Sequence, residues 1–360
     1  VHDKLRTVVV DASPGARGMM EAALQADASI ELVAVWDRLD SVMTLVKHHT
    51  PPHCLDVMVL DMGLKNAPDI LSQVLSLRPK INIILLGDSS GEKASLVAQA
   101  LQNGAAEFMV KVPPEAGSEG ARAFTRNLVD CVQAFRPVLA PAKALSAQAP
   151  LSATPLQFKP KPAGFLPKAL AIASSTGGPK AVLRMVEMLK GRACAIPVFI
   201  TQHMPKEFTP HFAKQIEAAG GFPAHEGKEA EEVLPGQVYV APGDYHMGVR
   251  HNAQNKVVIH LSHEAPENYC RPAADPMLRS LVEVYGGQVL LVVLTGMGKD
   301  GLKGAEELVK AGGVVLAQDQ ATSVVWGMPG AVATAGLAHR LYPIEGMADA
   351  IIEHAGGRVH

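Results

Sequence analysis

Short apolar runs alternate with longer amphipathic stretches through the first third of the chain. They predict strands at Thr7 to Val10, Ile30 to Val35, Val57 to Leu60, Ile81 to Leu86 and Glu107 to Val110. Between them, apolar positions at helical spacing predict helices at Gly15 to Gln25, Asp40 to Lys47, Ala67 to Leu77, Glu92 to Asn103 and Arg122 to Phe135. Strands this continuously apolar are covered on both faces, so the five βα repeats of residues 1–135 indicate a doubly wound parallel sheet. The pattern then breaks. Residues 136–166 are rich in Pro, Ala, Lys, Ser and Gln, with prolines at 137, 141, 150, 155, 160 and 162, and read as an extended linker. A second α/β unit is expected over 167–356. Its strands are read at Ala169 to Ala173, Pro197 to Thr201, Gln237 to Ala241, Val257 to His260, Gln288 to Leu294 and Val314 to Gln318. Its helices are read at Pro179 to Leu189, Thr209 to Glu217, Pro276 to Val284, Lys303 to Ala311 and Met347 to His354. No repeat of fixed period relates the two units.

Composition narrows the functions such a chain can serve. With 33 Lys plus Arg against 35 Asp plus Glu, the net charge of −2 provides no overall pull toward nucleic acid or anionic lipid. No apolar run reaches the roughly 20 residues that span a bilayer. Val1 to Arg6 lead into a strand pattern without the features of a signal peptide, so a cytoplasmic location is expected. Cys54, Cys131, Cys194 and Cys270 form no C-x-x-C pair and are expected to be reduced, mostly packed thiols.

In doubly wound sheets, ligands gather at the carboxyl ends of the strands, so the polar residues there carry the most information. In the first unit these are Asp11, Asp61 and Lys111. Two carboxylates and a lysine suit a phospho-accepting aspartate with Mg²⁺ beside it. The layout resembles a response-regulator receiver domain, with Asp61 at the acceptor position, Asp11 and Asp61 as Mg²⁺ ligands and Lys111 at the phosphate-binding position. The sequence departs from that pattern in three places. Ala12 stands where a second acid is usual, Gly87 stands where a hydroxyl is usual, and Gly63 to Asp69 replaces the usual Met-Pro-x-Met-Asp-Gly run. A weakly metal-binding receiver and a remnant that takes no phosphate both remain open.

In the second unit, the first strand delivers Ser174-Ser175-Thr176-Gly177-Gly178-Pro179 before a helix, a turn that can expose Ser175 as a nucleophile. Such a turn is also a good helix cap. His203 ends the next strand, and Asp300 lies in the glycine-rich loop after Val289 to Leu294. Three strand ends thus supply nucleophile, base and orienting acid.

Five runs carry a further resemblance: Ala171 to Pro179, Gln202 to Pro205, Val240 to His246, Leu294 to Gly301, and Ala317 to Asp319 with Gly327 to Pro329. They resemble the bacterial chemotaxis protein-glutamate methylesterase, over essentially the entire chain. That resemblance implies catalysis by Ser175, His203 and Asp300, with the Thr176 and Met297 N–H groups stabilising the oxyanion. Ser174 adds a hydroxyl in the tight turn, and Cys270-Arg271-Pro272-Ala273-Ala274-Asp275 replaces the usual His-Arg-Pro-Ser-Val-Asp, which leaves Arg271 as a substrate-binding candidate. The implied activity is hydrolysis of γ-methyl glutamate esters on chemoreceptors, with possible glutamine deamidation and no cofactor for the esterase step. The implied partners are a methyl-accepting chemoreceptor and a chemotaxis histidine kinase. The losses at Ala12 and Gly87 point to activity that is constitutive or set by another partner. A non-catalytic scaffold for receptors or kinase is the alternative. A phosphate-binding turn at Ser174 to Lys180 is weaker, because it lacks P-loop spacing.

Overall fold

The computed structural model describes residues 4–48, 55–88, 94–112, 119–136, 156–192 and 195–355. In the first unit, β1 (Leu5–Val10), β2 (Ile30–Trp36), β3 (Val57–Asp61), β4 (Asn82–Gly87) and β5 (Glu107–Val110) form one sheet. Its order is β2-β1-β3-β4-β5 and every pairing is parallel. The helices are α1 (Pro14–Gln25), α2 (Val42–His48), α3 (Ala67–Leu77), α4 (Ala94–Gln102) and α5 (Glu119–Ala134). Ser13 caps α1 by accepting the Ala16 N–H, and Pro14 follows where a missing N–H does no harm. All five residues of β3 are buried, as a central strand covered on both faces requires. The helix read from Glu92 begins at Ala94, and residues 92 and 93 lie outside the described residues.

The second unit holds β6 (Ala169–Ser174), β7 (Val198–Gln202), β8 (Ala224–Glu226), β9 (Val238–Val240), β12 (Val289–Val293), β13 (Val314–Gln318) and β14 (Arg340–Tyr342). They make a parallel sheet of order β14-β13-β12-β6-β7-β9-β8. Around it lie α6 (Gly178–Met188), α7 (Thr209–Gly220), α8 (Ala274–Tyr285), α9 (Leu302–Lys310), α10 (Met328–Thr334) and α11 (Ile344–His354). The remaining strands, β10 (His246–His251) and β11 (Val257–Ser262), pair antiparallel in a separate hairpin. The strand read at Val257 to His260 is thus present, as β11, in this hairpin and outside the parallel sheet.

Residues 137–155 of the expected linker lie outside the described residues. Its far end is bound to the second unit: the Lys159 N–H donates to the Ala338 carbonyl, and the Lys159 carbonyl lies 2.7 Å from His339 Nδ1. Cys131 and Cys270 are free thiols, Cys131 buried and Cys270 half-buried; Cys54 and Cys194 are outside the described residues.

The two units meet along β5 and the segment before it. The Gly177 N–H donates to the Ala106 carbonyl at 2.9 Å, and the Phe108 and Phe208 rings lie 4.7 Å apart. Met297 and Val325 of the second unit pack into the apolar cluster that contains Ala106, Phe124 and Leu128 of the first.

Candidate active site

Parallel pairing explains why three residues distant in sequence converge. β6 lies between β12 and β7, with Ala173 opposite both Val293 and Thr201, so the loops leaving all three strands emerge side by side. Ser175 follows β6, His203 follows β7 and Asp300 follows β12. The Ser175 Oγ lies 3.1 Å from His203 Nδ1, and His203 Nε2 lies 2.7 Å from Asp300 Oδ2. The expected trio is therefore assembled. Its imidazole is reversed relative to the common serine-protease arrangement, where Nε2 faces the serine and Nδ1 the acid. In the productive neutral tautomer, Nε2–H donates to Asp300 and the Nδ1 lone pair faces Ser175.

Asp300 is held by neutral donors. Its carboxylate accepts N–H bonds from Ala274 at 2.6 Å, Asp275 at 3.1 Å and Gly301 at 2.9 Å, the first two from the start of α8. A helix N-terminus favours the anion. Burial opposes ionisation of Asp300, but the His203 hydrogen bond and these N–H groups outweigh it and lower its pKa. Asn268 divides its amide between Asp300 Oδ1 and Asp275 Oδ2, each at 3.0 Å. Asp275 also accepts the Gly304 N–H, but burial and the neighbouring Asp300 raise its pKa. Burial opposes charging of His203 as well; Asp300 and the Cys270 thiol override it and raise the imidazole pKa.

The nucleophile turn is tightly braced. The Ser175 N–H donates to the Thr295 carbonyl, and Thr295 Oγ1 donates to the Thr176 carbonyl at 2.9 Å. Gln202 accepts from Ser174 Oγ at 2.7 Å and donates to the carbonyls of Ser175 and His203. The additional hydroxyl of Ser174 is thus absorbed into the brace. A Cβ on Gly178 would lie 2.1 Å from Gln202 Oε1, and one on Gly296 would lie 2.9 Å from Ser175 Cβ. Among the described residues, neither Thr176 N–H nor Met297 N–H has a backbone acceptor, and both belong to loops flanking Ser175.

Arg271 is placed differently from a free substrate-binding side chain. Its guanidinium donates to Asp244 Oδ1 and to the carbonyls of His263 and Glu264, so it ties two loops at the rim.

The receiver-like pocket is assembled as well. Lys111 Nζ lies 2.8 Å from Asp11 and 2.9 Å from Asp61, at the ends of β5, β1 and β3. Burial works against the ammonium, but the two carboxylates raise its pKa. Magnesium wants near-octahedral oxygen coordination. Here the second acid is Ala12, and the ammonium already lies between the two remaining carboxylates. This donor set does not fit a magnesium site. At Gly87, a Cβ would meet the Phe108 ring at 3.1 Å, so the aromatic side chain fills the space beside the missing hydroxyl.

Glu107, read from the sequence only as the start of a strand, joins the two sites. Its carboxylate pairs with the Thr176 hydroxyl, one residue from the nucleophile, and also accepts the Phe108 N–H. Burial raises its pKa, while the Thr176 hydrogen bond and nearby His203 act in the opposite direction. Nothing in the local text marks Glu107, because its partner Thr176 belongs to the other unit. Asn268 was likewise unmarked, and Gln202 was marked only as part of the run Gln202 to Pro205.

Comparison with known proteins agrees with this geometry. The CheB methylesterase family model matches residues 170–351. A protein-glutamate methylesterase/protein-glutamine glutaminase from Azospirillum brasilense is 40% identical, covering 95% of this chain and 91% of its own. One of a group 2 operon from Rhodospirillum centenum is 39% identical, over 95% of this chain and 92% of its own. Among solved structures, the CheB methylesterase catalytic domain of Thermotoga maritima is 38% identical, with a TM-score of 0.50 over 52% of this chain and 98% of that one. Taken with the Ser175, His203 and Asp300 constellation, these matches show that the chain belongs to the CheB protein-glutamate methylesterase family.

Proposed function

We propose that this chain hydrolyses γ-glutamyl methyl esters of chemoreceptors and deamidates glutamines at such positions, using the second unit as the catalyst. The observation that carries the reading is the continuous Ser175–His203–Asp300 relay, at 3.1 and 2.7 Å. Ser175 Oγ attacks the ester carbonyl as His203 Nδ1 takes its proton. The oxyanion is held by the N–H groups of Thr176 and Met297, and Asp300 supports the imidazolium. The imidazolium returns the proton to the departing methoxide, which leaves as methanol, or to the nitrogen of a glutamine side chain, which leaves as ammonia. Water, deprotonated by His203, then cleaves the acyl-enzyme and releases the glutamate carboxylate. Each step draws only on this chain's own side-chain and backbone groups and on water, with no cofactor for the esterase.

The receiver-like unit restrains this site. Its Ala106 carbonyl and Glu107 carboxylate are bonded to the nucleophile turn, and its core packs against Met297. The lysine-filled pocket favours release of that restraint by a protein partner, the receptor or a chemotaxis histidine kinase, over release by phosphate on Asp61. No helix among the described residues is long and apolar enough to cross a membrane, and the proposed place of action is the cytoplasm, at the receptors' signalling helices.

The deciding experiment measures methanol release from a methylated receptor cytoplasmic fragment. The wild-type chain releases methanol, and Ser175→Ala loses about 10⁶-fold in kcat because the relay acts as a unit. Methanol release by Ser175→Ala at the wild-type rate removes the nucleophile assignment.

A further inference from the structure

We infer that Tyr269 is a specificity residue that grips the polypeptide flanking the reacting glutamate. This inference rests on the esterase reading above and goes beyond it.

The turn Glu267-Asn268-Tyr269-Cys270 is closed by two backbone bonds, Glu267 N–H to Cys270 carbonyl at 3.2 Å and Cys270 N–H to Glu267 carbonyl at 2.9 Å. Both central residues have positive φ, 52° at Asn268 and 64° at Tyr269, which defines a type I′ turn. Asn adopts this conformation readily, whereas a bulky aromatic residue there is an outlier that the surroundings must sustain. Gly, Asn or Asp would close the same turn with less strain, so local folding does not explain a tyrosine.

Core packing does not explain it either. Glu267 pairs with Arg279 of α8, Asn268 holds Asp300 and Asp275, Cys270 lies against His203, and Arg271 ties down Asp244. Tyr269 projects outward, 100% exposed, from a turn bonded to the orienting acid through Asn268. It stays exposed while the receiver-like unit is seated and the nucleophile is only 8% exposed. A small ester needs only the cleft at Ser175. A polypeptide ester must also cross the rim, where a rigidly mounted tyrosine supplies a large contact at little cost in side-chain entropy. The partner surface is therefore the stretch of protein on either side of the esterified glutamate, and Tyr269 engages it before or during exposure of the nucleophile.

The experiment compares the full chain with Tyr269→Asn and Tyr269→Phe on two substrates, a methylated receptor cytoplasmic fragment and N-acetylglutamate γ-methyl ester. Asn keeps the positive-φ turn, so the melting midpoint of that variant is not lowered. For Tyr269→Asn, kcat/KM on the receptor fragment falls about tenfold through KM, the scale of an interface hot spot, while small-ester turnover stays within about twofold. Tyr269→Phe stays near wild type on both. Unchanged receptor turnover in Tyr269→Asn overturns the inference while leaving the esterase reading intact. A parallel loss on both substrates also overturns it, because the residue then acts through the relay. If neither the wild-type chain nor a fragment beginning at Pro167, which lacks the restraining unit, turns over either substrate, the esterase reading and this inference fall together.

Discussion

Two clusters of acid and base lie at the carboxyl ends of parallel strands in this molecule, and they neutralise buried charge in opposite ways. In the catalytic cluster, the Asp300 carboxylate is surrounded by three backbone N–H groups, the Asn268 amide and an imidazole. In the receiver-like cluster, Asp11 and Asp61 each accept one backbone N–H, from Ser13 and Gly63, and share the single ammonium of Lys111. Neutral donors stabilise an anion without occupying the role of counter-cation, so His203 can charge and discharge beside Asp300 during turnover. A resident ammonium fills that role permanently, which suits a stable support and leaves little for an external cation to gain. A buried carboxylate must be partnered in either case, and the identity of its partners determines whether the cluster can cycle.

The comparison is most severely tested at Asp300. Asp300→Asn keeps the volume but removes the charge and disturbs the tautomer, and kcat on a γ-methyl ester is expected to fall by about 10⁴-fold. A loss under about tenfold in steady-state turnover would show that the surrounding N–H groups, rather than the anion, orient the base.

A smaller effect is expected where the two units touch. In the seated arrangement the Glu107 pKa is raised, chiefly by burial, with Thr176, His203 and the Cys131 thiol as the other groups facing it. The protonated form is therefore the one favoured by seating. Its contribution is complete below the ordinary carboxyl range and is lost as pH rises through the raised value. The activity of the full chain, divided by that of a fragment beginning at Pro167, should climb severalfold across that window. The ratio removes the titration of His203 common to both proteins. In Glu107→Gln the profile flattens; an unchanged climb would place the sensitive group elsewhere.

The smallest effect is expected in the receiver-like pocket. Incubation with Mg²⁺ and acetyl phosphate should leave Asp61 unmodified by mass spectrometry and alter esterase rate by less than about twofold, since the oxygen donors for the metal are incomplete. Stoichiometric aspartyl phosphate with a matching rise in rate would overturn the contrast between the two clusters.

Much of this arrangement was legible in the amino-acid order because parallel strands place their ends together. Apolar runs located β1 to β7, β9, β11, β12 and β13, and the polar residues following β1, β3, β5, β6, β7 and β12 marked both clusters. The three-residue strands β8, Ala-His-Glu, and β14, Arg-Leu-Tyr, were missed because neither carries the continuous apolar run that β9, Val-Tyr-Val, does. The β10 strand, His-Met-Gly-Val-Arg-His, was missed because Gly248 and the polar ends interrupt its alternation. The reversed imidazole was beyond sequence reasoning, since it depends on the approach angle of two loops. Asn268 was beyond it too, because its role arises from an amide reaching residues 7 and 32 positions away. Ser174 stands directly before the nucleophile, where the family pattern has an alanine, and its hydroxyl signals little until Gln202 is seen accepting its hydrogen bond.

Met297 belongs at once to a loop beside Ser175 and to the apolar cluster of the opposing unit. If the first unit must lift before a tetrahedral boronate can settle on Ser175, the boronate competes with a protein surface as well as with water. Thermodynamic reciprocity makes the trade symmetric: whatever factor the first unit subtracts from boronate affinity, saturating boronate subtracts from that unit's own hold. An inert inhibitor thereby becomes a gauge of how firmly the two halves of this molecule are closed.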